Sequence, residues 1–154
     1  MGKILNWNKL KEAVDRLKAD GKKIVFTNGC FDIIHIGHIR CLKEAKVLGD
    51  VLVIGLNSDR SVSLIKSNRP INPQNHRAEI LSSLEMVDYV TLFDEETPYE
   101  LIKLLQPDVL VKGGDWKKED IVGSDIAKKT YSLPYVKDIS TSEIIERIKS
   151  SNSR

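Results

Sequence analysis

The order of apolar segments along the chain predicts an α/β fold: one domain with a parallel sheet covered by helices on both faces. Three observations carry this expectation. Strand-length segments with apolar centres stand at residues 23–27 and 109–112, and a continuous apolar run at 51–56, as strands buried on both faces require. Segments with apolar residues at helical spacing lie between them. Polar clusters follow the strands, at 28–38, 57–59, 112–116 and 137–142, where an open parallel sheet gathers its ligands.

The elements follow in order. Residues 1–22 hold an N-terminal helix over 5–20, with Leu10, Ala13, Val14 and Leu17 on one face and Gly21 as its stop. The first strand is 23–27, and a helix over 37–48 has Ile39, Leu42 and Ala45 along one face. The strand 51–56 ends at a polar break, Asn57, Ser58 and Asp59. Pro70 and Pro73 make 66–74 irregular. A helix over 75–84, a strand over 87–93 and a helix over 98–105 come next, with Pro98 near the first turn of the last. The strand 109–112 precedes a helix over 121–129. Pro134 marks 133–136 as a short edge strand. The final helix spans 140–149, where Ser140 and Glu143 match a capping box, and residues 150–154 are expected to fray.

Composition narrows the function. At 154 residues, 41% apolar and 30% charged, the chain can bury a core as a single domain, 1–154. A net charge of +2, mixed along the sequence, gives no reason to expect nucleic acid or membrane as partner. No apolar stretch approaches membrane-spanning length, and no apolar run follows a basic start as in a secretory signal. Cys30 and Cys41 fit reduced thiols better than a disulfide framework. A cytoplasmic location is therefore expected.

The densest chemistry is in Thr27-Asn28-Gly29-Cys30-Phe31-Asp32-Ile33-Ile34-His35-Ile36-Gly37-His38, which carries two of the three histidines. A strand turns here into a helix, and helix starts offer unpaired N–H groups to phosphate. Gly37 permits close backbone approach. His35 and His38, three residues apart, share a helical face and can address one anion. The competing readings are a helix cap and half of a metal site, but His76 is the only further histidine and the cysteines lack metal-ligand spacing. Lys66, Arg69 and Arg77 lie in or just after the proline loop and can meet phosphate or remain solvated. Lys112-Gly113-Gly114-Asp115-Trp116 suits either a flat ligand or a plain turn. Ser140-Thr141-Ser142 offers a second phosphate cradle or an N-cap. Asp32 is a candidate oxygen ligand for magnesium or a turn residue. No Ser/His/Asp or Cys/His arrangement supplies a nucleophile and its base.

With these residues assembled, the chain resembles the nucleotidyltransferase superfamily marked by His-x-Gly-His, a Rossmann-like fold. It is most similar to the D-glycero-D-manno-heptose 1-phosphate adenylyltransferase branch. The resemblance spans residues 5–148 and rests on Phe26-Thr27-Asn28-Gly29-Cys30-Phe31-Asp32-Ile33, Asn57-Ser58-Asp59, Arg69-Pro70-Ile71-Asn72-Pro73 and Val111-Lys112-Gly113-Gly114-Asp115. It implies direct transfer of a nucleotidyl group from ATP to a sugar phosphate, with pyrophosphate leaving and Mg2+ accompanying the ATP. By matched position it implies catalytic roles for His35, His38 and Lys66. It implies nucleotide binding by Cys30, Phe31, Gly37, Gly114, Asp115, Trp116, Ser140, Thr141 and Ser142. Asp32, Arg69 and Arg77 are expected on the acceptor substrate. CTP as donor, another polyol phosphate as acceptor, and a non-catalytic nucleotide-binding module are the alternatives. Members are often dimeric, so a homodimer is a candidate assembly. The sequence departs from the branch in a shortened turn at 128–132, in Tyr135, in Asp138 where glycine is common, and in Ser142 in place of threonine.

Overall fold

A computed structural model describes residues 2–151. Six strands form one sheet in which every pairing is parallel. They are β1 (Lys3–Ile4), β2 (Ile24–Gly29), β3 (Val51–Asn57), β4 (Tyr89–Phe93), β5 (Val109–Gly113) and β6 (Lys129–Leu133), in the spatial order β1-β4-β3-β2-β5-β6. The helices are α1 (Trp7–Ala19), α2 (Ile36–Lys46), α3 (Asp59–Ile65), α4 (Gln74–Ser82), α5 (Tyr99–Leu105) and α6 (Thr141–Ser151). Strand order runs outward from β2 through β3 and β4, then reverses to β5 and β6 on its other side. The carboxyl ends of β2 and β5 therefore flank a topological switch point.

Both sheet faces are buried, which explains the unbroken apolar runs. On β3, Leu52, Ile54 and Leu56 face one cluster with Leu42 and Ala45 of α2 and Ala78 and Leu81 of α4. Val51 and Val53 face the other, with Leu10 and Val14 of α1 and Leu101, Ile102 and Leu105 of α5. Leu52 and Leu10 are both fully buried, and truncating either to alanine costs about 2–5 kcal/mol.

Several expectations need correction. The N-terminal segment is not helix alone: β1 pairs with β4 (Lys3 beside Tyr89, Ile4 beside Val90) at the sheet edge before α1 begins. At two residues, β1 is too short to show any alternation. The polar break at 57–59 is a helix start, because Ser58 caps α3 by accepting the Ser61 N–H at 3.1 Å. Residues 121–129 do not form a helix. A 3-10 turn at Lys118–Asp120 leads into further turns, with Gly123 at φ +92°, and Lys129 already belongs to β6. The edge strand expected at 133–136 ends at Leu133, the residue before Pro134. α6 runs through Ser150 and Ser151, into the stretch expected to fray, and 152–154 lie outside the described residues.

Candidate active site

The turn after β2 is strained and heavily tied. Phe31 and Ile33 both take positive φ, +47° and +51°. Such bulky residues stay there only when surrounding contacts over-determine the backbone, at a cost of roughly 1–3 kcal/mol each. The contacts are present. The Cys30 carbonyl accepts from Arg77 Nη1 at 2.7 Å, and the Asp32 carbonyl accepts from Thr141 Oγ1 at 2.8 Å. The Asp32 carboxylate accepts the N–H groups of Ile71 (2.6 Å) and Asn72 (3.0 Å). The turn, the proline loop and the start of α6 are thereby locked together.

His35 is the N-cap of α2. Its Nδ1 accepts the Gly37 N–H at 3.1 Å, and His38 Nδ1 accepts the His35 N–H at 3.2 Å, forming a reciprocal capping box. Gly37 is required by this arrangement, since a Cβ there would lie 2.9 Å from His35 Cε1. A ring nitrogen that accepts a backbone N–H carries no proton, so each neutral imidazole holds its hydrogen on Nε2. The rings are 3.9 Å apart, and Phe31 lies 5.4 Å from His38. Burial lowers the pKa of His35; burial, then His35 and Lys66, lower that of His38 to about 4. The pair is therefore neutral at pH 7, and each ring offers an Nε2–H donor.

A cleft of about 630 Å³ opens over this turn, within the range usual for small-molecule sites. It brings together most of the predicted residues. The turn contributes Cys30, Phe31 and Asp32; the start of α2 contributes His35, Gly37 and His38; the proline loop contributes Lys66 and Arg69. Trp116 lines one side, and Ser140, Thr141 and Ser142 bring the start of α6 to the other. Two helix starts therefore meet one space. The α6 hydroxyls are already used: Ser140 Oγ accepts the Glu143 N–H at 3.1 Å, Thr141 donates to Asp32, and Ser142 Oγ accepts from Arg69 Nη2 at 3.2 Å. What the first turn of α6 leaves for an anion is the backbone N–H groups of Thr141 and Ser142, since that of Glu143 is taken by Ser140.

Several predicted residues lie elsewhere. Arg77 is fully buried and cannot reach a substrate. Its guanidinium donates to the carbonyls of Asn72 (2.9 Å), Cys30 (2.7 Å) and Asn57 (2.8 Å) and pairs with the Asp59 carboxylate at 2.8 Å. It is a brace for the loops. The Asp32 carboxylate is spent on two N–H groups, which leaves it poorly suited to a metal. Among the described residues no three His, Cys, Asp or Glu side chains converge as metal ligands. Gly114 and Asp115 do not line the cleft, whereas Gly113 and Trp116 do. Burial raises the pKa of both Cys30 and Cys41, so neither is an activated thiolate. Asp138 lines the cleft with φ +61°, the conformation glycine eases. Lys112, placed by its sequence in the 112–116 block but given no role of its own there, lines the cleft.

Known proteins agree with this architecture. Residues 26–147 match the family described as cytidylyltransferase-like. Bifunctional protein HldE of a Nitratiruptor species is 60% identical over 84% of the chain and 28% of its own length. Its counterpart in Wolinella succinogenes is 50% identical over 97% of the chain and 32% of its own length. The chain thus spans about a third of the length of these curated relatives. A crystal structure of the lipopolysaccharide core biosynthesis protein from Thermoplasma volcanium superposes with a TM-score of 0.65 and 32% identity, covering 75% of this chain and 99% of that one. Pantoate-beta-alanine ligase from Francisella tularensis shares the fold at a TM-score of 0.63 and 18% identity, over 97% of this chain and 77% of that one. With the paired imidazoles, the switch-point cleft and the match over residues 26–147, the chain belongs to the cytidylyltransferase-like family of nucleotidyltransferases.

Proposed function

We propose that this domain transfers AMP from ATP to D-glycero-D-manno-heptose 1-phosphate, releasing pyrophosphate and forming ADP-heptose. The observation that carries the reading is the pair of neutral imidazoles at one helix start facing a second helix start across a single cleft. A phosphate oxygen of the sugar attacks the α-phosphorus; the new O–P bond forms as the bond to the β-phosphate oxygen breaks. The attacking oxygen is already anionic, so no general base is needed. Catalysis is positioning and charge stabilisation. Nε2–H groups of His35 and His38 donate to phosphate oxygens, Lys66 adds a cation from the loop, and the N–H groups of α6 receive the far end of the triphosphate. Magnesium enters this scheme with the nucleotide's phosphates rather than on a resident protein site. The product is an activated sugar for surface polysaccharide, made in the cytoplasm. Assembly as a homodimer is part of the proposal.

The experiment is pyrophosphate release by purified protein with magnesium, heptose 1-phosphate and each nucleoside triphosphate in turn. ATP should support turnover. Release only with CTP would overturn the choice of nucleotide, and tight ATP binding without turnover on any sugar phosphate would leave a binding module.

A further inference from the structure

Arg69 of the proline loop and Ser142 of α6 both line the cleft and meet through one hydrogen bond, Arg69 Nη2 donating to Ser142 Oγ at 3.2 Å. We infer that this bond is a latch: it parks the Arg69 guanidinium at the start of α6, and nucleotide phosphates replace the hydroxyl, so that Arg69 closes over the far end of the polyphosphate. Resting on the nucleotide-binding half of the proposed reaction, this moves Arg69 from the acceptor to the donor.

Asp32 sets the reach of the latch. Its carboxylate holds the N–H groups of Ile71 and Asn72, just beyond Arg69, and its carbonyl holds the hydroxyl of Thr141, the neighbour of Ser142. The proline loop and α6 thus hang from one residue, and the bond from Arg69 to Ser142 closes the ring. The three bonds to Asp32 are part-buried and span 2.6, 3.0 and 2.8 Å. The closing bond, at 3.2 Å, is the longest of the four and is exposed, so it opens at least cost. Its partners are also poorly matched. Arg69 forms no ion pair among the described residues, although Glu143 lines the same cleft. Ser142 lies in the first turn of α6, where the positive end of the helix disfavours a cation. A hydroxyl offers the guanidinium no countercharge, whereas a phosphate supplies one and accepts two parallel N–H bonds from the fork. The same phosphate turns the helix end from a repulsive neighbour of Arg69 into a second donor to a shared anion.

The test varies both substrates for wild type, Arg69→Ala and Arg69→Lys. In Arg69→Ala the KM for ATP should rise about tenfold or more while that for heptose 1-phosphate stays within about twofold. Arg69→Lys keeps the charge without the fork and should recover only part of the loss. An unchanged KM for ATP, or a rise confined to heptose 1-phosphate, would overturn the assignment. If wild type turns over no sugar phosphate, the transfer reading fails and Arg69 is judged by calorimetric binding of ATP. A dissociation constant about tenfold weaker in Arg69→Ala then supports its role, and one within about twofold of wild type refutes it. The latch itself is read from the 15N-labelled Arg69 Nε–H signal, identified by its loss in Arg69→Ala. Wild type and Ser142→Ala should differ in this signal before ATP is added and converge at saturating ATP. A difference that persists undiminished with ATP bound would show that Ser142 keeps its hold, and would overturn the exchange.

Discussion

His38→Ala separates the two duties assigned to one imidazole. Nδ1 closes the capping box on the His35 N–H at 3.2 Å, and Nε2–H is left to meet phosphate. Loss of the box costs about 1 kcal/mol, the usual worth of an N-cap contact. For a chain of this length that lowers Tm by roughly 2–4 °C. Loss of a donor that acts only as charge develops lowers kcat by about 100- to 1000-fold. One variant thus gives a small thermal change and a large kinetic one. His38→Glu keeps an acceptor at the third helical position, where capping boxes use Glu or Gln, and should recover the Tm. It should not recover turnover, because its charge repels phosphate. The assay is pyrophosphate release beside a thermal melt on the same preparations. Turnover within about threefold of wild type in His38→Ala, with the Tm lowered, would make His38 a capping residue only and remove it from the chemistry.

The remaining predictions concern the supports of the site and its pH dependence. Arg77→Met leaves three carbonyls without this donor and the half-exposed Asp59 carboxylate without its cation, and should lower stability by about 1–3 kcal/mol or more, read as a fall in the urea midpoint. An unchanged midpoint with a raised acceptor KM would return Arg77 to the substrate. Asp32→Asn turns one carboxylate oxygen into a donor facing an N–H, and should cost about 1–3 kcal/mol. Faster hydrogen exchange at the Ile71 and Asn72 amides is the check. His38 titrates from 6.5 unfolded to about 4 folded, so between these values the unfolded chain binds more protons. Its contribution is intact above pH 6.5 and lost as pH falls through about 4, at most about 3 kcal/mol and less for its residual exposure. Urea midpoints between pH 7 and pH 4 should therefore fall more in wild type than in His38→Ala.

The alternating plan was legible because its signals are local. The apolar runs of β2, β3 and β5 are long enough to show themselves, and Ser140 reads as the cap it is. Where signals were short or shared, the reading failed. β1 has two residues, and α3 has seven, four of them the polar Asp59, Arg60, Ser61 and Ser63. The turn after β2 stood out as a candidate phosphate site because its histidines and glycine are close in the chain. The fate of Arg77 was not, since Cys30, Asn57 and Asn72 converge on it only after folding. Lys112 stood in a named block, but that its side chain lines the cleft appears only after folding.

No residue of α6 is buried, yet its first turn is fastened by Thr141 to Asp32 and by Arg69 to Ser142. The helix is held to the domain largely through the rim of the cleft. Occupancy of that cleft and attachment of the last helix are therefore two faces of one equilibrium, and a nucleotide spanning both helix starts acts as mortar between them. Saturating nucleotide should slow amide exchange along α6 more than in the buried strands. Loosening α6 from its far end should weaken nucleotide binding without touching a single group that contacts it.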